Sequence, residues 1–357
     1  MPLTLTNCLA LLTVKNRYWF TLTSALLCLL PHVIKAQDIH FSQFFDAPLL
    51  RNPSLAGLFD GDVRLQLVYR DQWQSVTPNS FRTASFNGEY KMQVSGGDDF
   101  ITIGGQILLD KAGSAVQSTT HLLPVVNYHK SLSTQRTSYF SLGFMGGWVQ
   151  KRIDYSKITT NNQYFGNNWN AAAPTGETFS NPNIGYWDGS VGMNFNTSLG
   201  SEYKHMFFIG AAYHHLNRPK TSFYRDAAIE LRPKYVFSAG LKYIIDDFRS
   251  FTLHQDVFIQ GSSREIIGGG WYSHILGDFP DDPVYVLHGG LFIRYKDAVV
   301  PVVKIDIRSF SITLSYDINT SPLKTASQLR GGFELGLTFK SFAKNNSSQD
   351  KVLCPRF

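Results

Sequence analysis

The chain has 357 residues, of which 43% are hydrophobic, 14% aromatic and only 17% charged, and its formal net charge is +6. Soluble domains average roughly 25% charged residues, so much of this surface is expected to face something other than water. A mean hydropathy of -0.13 nevertheless excludes a bundle of apolar transmembrane helices.

Residues 1–36 have the features of a secretory signal peptide. Lys15 and Arg17 precede an apolar run that begins at Trp19, and Ala36 is a small residue at the expected cleavage site. Cleavage there removes three basic residues and no acidic one, so the formal charge falls from +6 to +3.

Cleavage would leave one cysteine, Cys354, so the mature chain could form no intramolecular disulfide. An exported protein without a disulfide framework needs another scaffold. A β-barrel embedded in the outer membrane is the scaffold that this chain length suggests.

Residues 37–60 precede the first predicted strand and carry eight phenylalanine and leucine side chains. Burial of each is worth about 1.5–3 kcal/mol, so this stretch is predicted to dock on the barrel, chiefly through Phe41, Phe44 and Leu55. It could pack inside or under the barrel, or it could be the surface that a periplasmic partner recognises.

Residues 61–340 are predicted to form the barrel. Apolar residues alternate with polar or small ones in segment after segment, which is the period of a strand with one apolar face. The pattern predicts an all-β fold, a transmembrane outer-membrane β-barrel of about fourteen antiparallel strands with an N-terminal docking segment. The predicted strands are 62–75, 81–93, 100–112, 119–131, 137–153, 186–199, 205–216, 233–245, 250–261, 264–276, 284–296, 299–307, 309–318 and 331–340.

The lengths of the connections predict how the barrel is oriented. The three longest fall on one side, at 154–185, 217–232 and 319–330. Short connections fall on the other, at 94–99, 132–136, 200–204 and 246–249. Bacterial barrels have long external loops and short periplasmic turns. Both termini, including the polar tail 341–357, are therefore predicted to be periplasmic.

Short motifs occur at both ends of the mature chain. The opening carries QDIHFSQF at 37–44, NPSLAG at 52–57 and YRDQW at 69–73. The distal half carries DAVVP at 297–301, SYDIN at 315–319 with Ser321, GGFEL at 331–335 and CPRF at 354–357. These motifs resemble the PorP/SprF family of type IX secretion outer-membrane proteins, and the region 155–285 carries no such landmark.

The resemblance implies a non-enzymatic outer-membrane component of the type IX secretion or gliding machinery. Such a protein would assist export or surface attachment of a secreted adhesin, or would link to a periplasmic partner. The residues alone leave two alternatives, an outer-membrane channel or transporter for a small or hydrophobic substrate, and a barrel hydrolase. His214 and His215 could reach the outer rim, but no nucleophile signature accompanies them. No cofactor, metal or nucleic-acid site is expected.

Charged residues on the strands are predicted to point into the lumen. A charge on the lipid face would cost about 2–4 kcal/mol at mid-membrane, and the mixed signs favour ion pairs across the lumen. The predicted lumen charges are Arg64, Arg70, Glu89, Lys91, Asp188, Lys242, Asp256, Arg294, Lys304, Asp306, Arg308, Asp317 and Glu334.

The charges that lie beyond the strands predict a basic outer rim and an acidic periplasmic rim. The outer rim would neutralise the anionic lipid of the outer leaflet. The acidic rim would offer a docking surface to a basic periplasmic partner through Asp246, Asp247, Asp281 and Asp282. Asp278, Asp281 and Asp282 could instead hold calcium, but three carboxylates fall short of the roughly 6–8 oxygen ligands that calcium takes, which favours a solvated turn.

Overall fold

The computed structural model describes residues 38–341, apart from residues 76, 78, 95–96, 114–116, 166, 178, 201–203, 225, 227, 281 and 323. These residues form a closed barrel of fourteen antiparallel strands, in which the last strand pairs with the first. Strands β1 to β14 are Val63–Gln72, Phe81–Gln93, Phe100–Ala112, Gln117–Ser131, Ser138–Arg152, Asn183–Leu199, His205–His214, Lys234–Ile244, Arg249–Gln260, Ser263–Leu276, Tyr285–Arg294, Ala298–Ile307, Phe310–Asn319 and Arg330–Ser341. The predicted signal peptide and residues 342–357 of the predicted tail lie outside the described residues.

Short helices and one small hairpin accompany the barrel. The 3-10 helices are Phe44–Asp46, Pro53–Leu55, Tyr155–Lys157 and Asn161–Gln163, and the α-helices are Pro48–Arg51 and Lys324–Ser327. The hairpin pairs Tyr164–Phe165 with Asn168–Trp169. None of the described helices is long and apolar enough to cross a membrane.

The structure confirms the predicted barrel and its fourteen strands, with shifts of a few residues at the strand ends. Strand β1 stops at Gln72 rather than 75 because Trp73 has a φ of 59°, which breaks the extended backbone. Strand β6 begins at Asn183 rather than 186 because Asn183 still pairs with Arg152 of β5.

The two faces of each strand meet different surroundings. On β13, Phe310, Ile312 and Leu314 point outward and are 59%, 42% and 44% exposed. Ser311 and Thr313 between them point inward and are buried. The outer surface is therefore apolar, as a bilayer requires, and the polar side chains line the lumen.

Two prolines interrupt the hydrogen-bond ladder near the middle of the wall. Pro124 lies on the outward face of β4, and the pairing of β4 with β5 skips from Leu122 to Val125. Pro301 lies on the outward face of β12, and the pairing with β13 skips from Val299 to Val302. Proline has no N–H to donate, so the ladder has a gap at each position.

The connections sort by length between the two ends of the barrel. We call the end that carries 153–182, 215–233 and 320–329 the long-loop end. We call the opposite end, with 94–99, 132–137, 200–204 and 245–248, the short-turn end. Strand β14 finishes at the short-turn end with Ser341.

Candidate functional site

Residues 38–60, which we call the N-terminal segment, lie inside the barrel. Two prolines start its short helices, Pro48 and Pro53, because proline suits the first helical position. Between them, Asn52 caps the second helix by accepting the N–H of Ser54 at 2.9 Å. These local signals fold the segment into successive turns that occupy the lumen.

The N-terminal segment runs through the lumen from the long-loop end to the short-turn end. It begins with Asp38, whose N–H donates to Gln260 at the last position of β9. Arg51 contacts the middle of the same strand, and Asp62, just past the segment, donates its N–H to the carbonyl of Ser341 at the short-turn end. The segment therefore adds one crossing of the barrel before the first strand.

The two termini, both predicted to be periplasmic, lie outside the described residues. Asp38 and Ser341 lie at opposite ends of the barrel. The strand count is correct, and the lumen is one of the places, inside or under the barrel, that the sequence left open for residues 37–60. Because the segment threads the lumen, the first described residue, Asp38, lies at the long-loop end.

The three predicted docking residues, Phe41, Phe44 and Leu55, are all buried in the lumen, each 2% exposed. Phe44 makes an edge-to-face contact with Phe292, with the ring centroids 5.6 Å apart. Phe41 packs against Val68 of β1, and Leu55 packs in a cluster with Phe208. Apolar patches of the lumen wall thus receive the apolar side chains of the segment.

Glycines on the wall allow the segment to approach closely. A Cβ at Gly143 would lie 2.5 Å from the Pro53 carbonyl carbon, and one at Gly336 would lie 2.6 Å from the Gln43 side chain. Real Cβ atoms do not come as close to backbone as a Cβ at Gly143 would. Gly143 must therefore stay glycine for the backbone of the segment to fit, whereas Gly336 leaves room for the side chain of Gln43.

The predicted lumen charges form ion pairs along the wall. Arg64 of β1 contacts Glu89 of β2 at 2.7 Å. Arg70 lies 3.0 Å from both Asp317 and Glu334, which sit on β13 and β14. The expected pairs across the lumen are not seen among these residues because the N-terminal segment fills the space between opposite walls.

One buried ion pair joins the segment to the wall. Arg51 Nε and one of its terminal nitrogens lie 2.5 and 2.6 Å from the two oxygens of Asp256. Asp256 is fully buried and Arg51 is 4% exposed. Arg51 also stacks over Phe44 at 4.8 Å. The sequence signal for this contact is a lone arginine within an apolar stretch, which must find a buried acid when that stretch is buried.

The remaining predicted charges lie elsewhere on the wall. Arg294 contacts Asp317 at 2.7 Å, and Lys304 lies 3.8 Å from Asp306. Lys242 lies partly buried on β8, and Lys91 donates to the Phe59 carbonyl. The predicted inward position of Arg308 is wrong, because this residue is exposed in the turn after β12 with a φ of 50°.

The start of the segment is held by a cluster that we call the N-terminal clasp: Asp38, Lys234, His215 and Asp188. Lys234 Nζ lies 3.2 Å from Asp38, and His215 lies 3.4 Å from Asp38 and 2.8 Å from Asp188. Burial raises the pKa of Asp38, but Lys234 and His215 outweigh it and hold that pKa well below its usual range. Burial lowers the pKa of His215, yet the two carboxylates raise it to about 9.

The clasp is expected to weaken in alkaline solution. The pKa of His215 is higher in the folded chain than its usual 6.5, so its contribution is complete below 6.5 and is lost as the pH rises through about 9. Asp38, with a lowered pKa, contributes throughout this range. Protease cleavage of a sequence placed before Asp38 should therefore accelerate between pH 6.5 and 9.5.

The matched variant is His215→Gln, which keeps a hydrogen-bonding side chain but cannot become charged. Its cleavage rate should be faster at pH 6.5 and should stay constant up to pH 9.5. If the wild-type rate does not change over this range, the charge of His215 does not hold the segment.

The arrangement of the side chains gives little support to a catalytic site. Ser273, His288 and Asp306 form a hydrogen-bonded chain across β10, β11 and β12, with distances of 2.7 and 3.1 Å. Ser273 pairs with a residue of β9 and a residue of β11 in the ladder, so the adjacent amides are used for pairing and cannot form an oxyanion hole.

The histidines that could have served a hydrolase are also engaged. His214 lies 2.9 Å from Ser190 and 3.0 Å from the Arg51 carbonyl, and His215 belongs to the clasp. In the part of the chain that the structure describes, no group of three or more His, Cys, Asp or Glu side chains could hold a metal ion.

The predicted acidic rim at the short-turn end is only partly available. Asp246 is tied to Arg249, whose Nε lies 2.6 Å away, while Asp247 and Asp282 are exposed and Asp281 lies outside the described residues. Phe279, which the charge pattern did not single out, is 78% exposed beside these acids. A phenylalanine in a turn rich in Asp and Pro was the signal available in the sequence.

Comparison with known proteins identifies one family. The family model described as "Type IX secretion system membrane protein PorP/SprF" matches residues 33–339. No curated protein matches the chain.

Among solved structures, three outer-membrane barrels illustrate the likeness. The Pseudomonas putida toluene transporter TodX shares 9% identity over 82% of this chain and 92% of its own, with a TM-score of 0.43. The CymD monoaromatic hydrocarbon channel shares 8% identity over 84% of this chain and 93% of its own, with a TM-score of 0.46. The Acinetobacter baumannii protein Omp33 shares 8% identity over 80% of this chain and 99% of its own, with a TM-score of 0.38. At this identity the likeness concerns the barrel fold alone.

Proposed function

Because this chain belongs to the PorP/SprF family of type IX secretion system membrane proteins and is an outer-membrane β-barrel, we propose that it is a non-enzymatic component of the type IX secretion or gliding machinery. It assists the export or surface attachment of a secreted adhesin, or it links the outer membrane to a periplasmic partner. The observation that carries the proposal is the family match over nearly the whole mature chain, 33–339.

The filled lumen supports a role in assembly with other proteins. The N-terminal segment contacts well-separated strands of the wall, through Arg64 on β1, Asn127 on β4 and Asp256 on β9. A channel for a small or hydrophobic substrate, the rival function, requires this segment to leave. If the lumen is not a solute channel, full-length protein inserted in planar bilayers should therefore show no ion conductance.

We place the long-loop end outside the cell and the short-turn end in the periplasm, since bacterial barrels are built in this way. The periplasmic surface then presents Phe279 among exposed Asp247, Asp278 and Asp282. An exposed aromatic side chain surrounded by acids suits a partner with an apolar pocket and a basic rim. The cell-surface side presents the long loops to the secreted client.

Deletion of the gene tests the proposal. The deletion strain should lose one or a few large proteins from its surface, as measured by mass spectrometry of the surface and medium fractions. Wild type and Ser273→Ala should both restore these proteins, because the function needs no catalysis. An unchanged set of secreted proteins in the deletion strain would contradict an export role.

The same complementation separates export from periplasmic linkage. The triple change of Asp247, Asp278 and Asp282 to Asn should weaken crosslinking to periplasmic type IX components about tenfold at low salt, and less at high salt. The matched control changes three acids of the long-loop end, Glu177, Asp226 and Glu230, to their amides. Equal crosslinking by both triple variants would remove the acidic rim from the mechanism.

A further inference from the structure

The wall of the lumen contacts the main chain of the N-terminal segment at many points. Arg70 donates to the carbonyl of His40 at 2.6 Å. Asn127 Nδ2 donates to the carbonyls of Ser54 and Ala56 at 2.8 and 2.7 Å. Four further carbonyls have wall nitrogens within 3.5 Å, those of Arg51, Leu55, Leu58 and Phe59.

The wall also accepts main-chain N–H groups. The two carboxylate oxygens of Glu334 accept the N–H groups of Ser42 and Gln43 at 2.8 and 2.7 Å. Glu89 accepts the N–H of Gly57 at 2.8 Å. Carboxylates that accept amide hydrogens make strong bonds in a dry interior. The wall therefore supplies both donors and acceptors to a peptide backbone.

These wall groups are buried and would lose partners without the segment. Glu334 and Asn127 are fully buried, and Arg70 is 2% exposed. A buried polar group without a partner is unfavourable, and in the filled lumen the N-terminal segment supplies partners to these groups. What matches them is mostly backbone carbonyls and amides, which every polypeptide possesses.

From this arrangement we propose that the lumen is a binding site for a polypeptide, which it recognises through the main chain and an interspersed set of apolar side chains. The N-terminal segment is its resident occupant, and a segment of another polypeptide with similar turns can replace it. The wall glycine at 143 supports this reading because a Cβ there would lie 2.5 Å from the backbone of Pro53 and Ser54. The inference goes beyond the proposed function and does not depend on it.

The test uses the full chain with a site-specific protease sequence inserted between Asp60 and Gly61. After folding and cleavage, the segment remains as a non-covalent ligand. Fluorescently labelled synthetic peptide 38–60 is added, and its uptake is followed by anisotropy. Saturable exchange is expected. If cleaved barrel that is shown to be folded takes up no peptide 38–60, the segment cannot be replaced and the proposal fails.

Two altered peptides separate main-chain from side-chain recognition. The first exchanges phenylalanines and leucines but keeps Pro48, Asn52, Pro53 and Gly57, and it should bind within about tenfold of the native peptide. The second carries N-methyl groups at Ser42 and Gln43, which remove both donors to Glu334, and it should bind at least about 100-fold more weakly. Equal binding by the N-methylated peptide, or a loss above about 100-fold for the exchanged one, would overturn the proposal.

A wall variant supplies an independent readout. Asn127→Ala removes the contacts to two carbonyls and should weaken native and exchanged peptides alike, by about tenfold. Asn87→Ala is the matched control, because Asn87 is also fully buried but its amide nitrogen makes no hydrogen bond. Folding of both variants is checked by gel electrophoresis, in which a folded barrel changes its mobility after heating. An effect of Asn127→Ala no larger than that of Asn87→Ala would contradict main-chain recognition.

Discussion

An epitope tag inserted between Gln37 and Asp38 is expected to bind antibody on intact cells. Asp38 lies at the long-loop end, where Lys234 and His215 hold it, and this end faces outward in our proposed orientation. The predicted leader would be removed on the periplasmic side, so the new N-terminus must cross the membrane inside the barrel. Labelling should therefore match that of a tag near Asn170 in the longest loop.

The matched internal control is a tag beside Asp247, in a connection of the short-turn end. It should become accessible only after the outer membrane is permeabilised. Surface labelling at Asn170 combined with no labelling before Asp38 would show that the segment is not threaded in living cells. Labelling at Asp247 with none at Asn170 would reverse the whole orientation.

Replacement of Arg51 by methionine should cost about 3–5 kcal/mol of unfolding free energy, because it leaves a buried charge without a partner. Asp256 is fully buried, and both of its oxygens bond to Arg51. Water cannot reach the carboxylate while the segment stays in place. Denaturant unfolding of the barrel in detergent, followed by circular dichroism, measures the loss.

Two further variants show whether the loss of stability comes from the Asp256 carboxylate, which Arg51→Met leaves buried without its partner. Adding Asp256→Leu to Arg51→Met should restore most of the stability, since a buried ion pair is often replaced by apolar side chains without loss. Arg249→Met breaks an exposed pair, with side chains 50% and 38% accessible, and should leave the unfolding midpoint close to that of wild type. If the double variant is as unstable as Arg51→Met, the arginine acts through packing.

The strands could be predicted well because the membrane imposes one pattern on all of them. A lipid-facing residue such as Leu314 must be apolar, whereas a lumen-facing one such as Thr313 can be polar. This alternation is visible in the sequence. Pairing registers and exact ends depend on neighbours in space. Asn183, for example, joins β6 only because Arg152 lies opposite it.

The lumen was less predictable because alternation gives the direction of a side chain and not its partner. Glu334 was expected to point inward and to pair across the lumen. It instead contacts Arg70 on the adjacent strand and two amides of the N-terminal segment. Asn127 carries no charge, so nothing in the pattern distinguished it from other polar residues of the lumen.

The N-terminal segment also bears on how the ring of strands is completed. Ser42 and Gln43 reach Glu334 across 292 and 291 positions of sequence, and Arg70 spans the seam between the first strand and the last two. The bonds of Arg70 can form only when β1 and β14 have met. In an assembly intermediate with an open seam, Glu334 lacks Arg70, and residues 42–43 are expected to be held less firmly than Asp38 is held by the clasp. Protease sensitivity near residues 42–43 is therefore expected to report whether the ring of strands has closed.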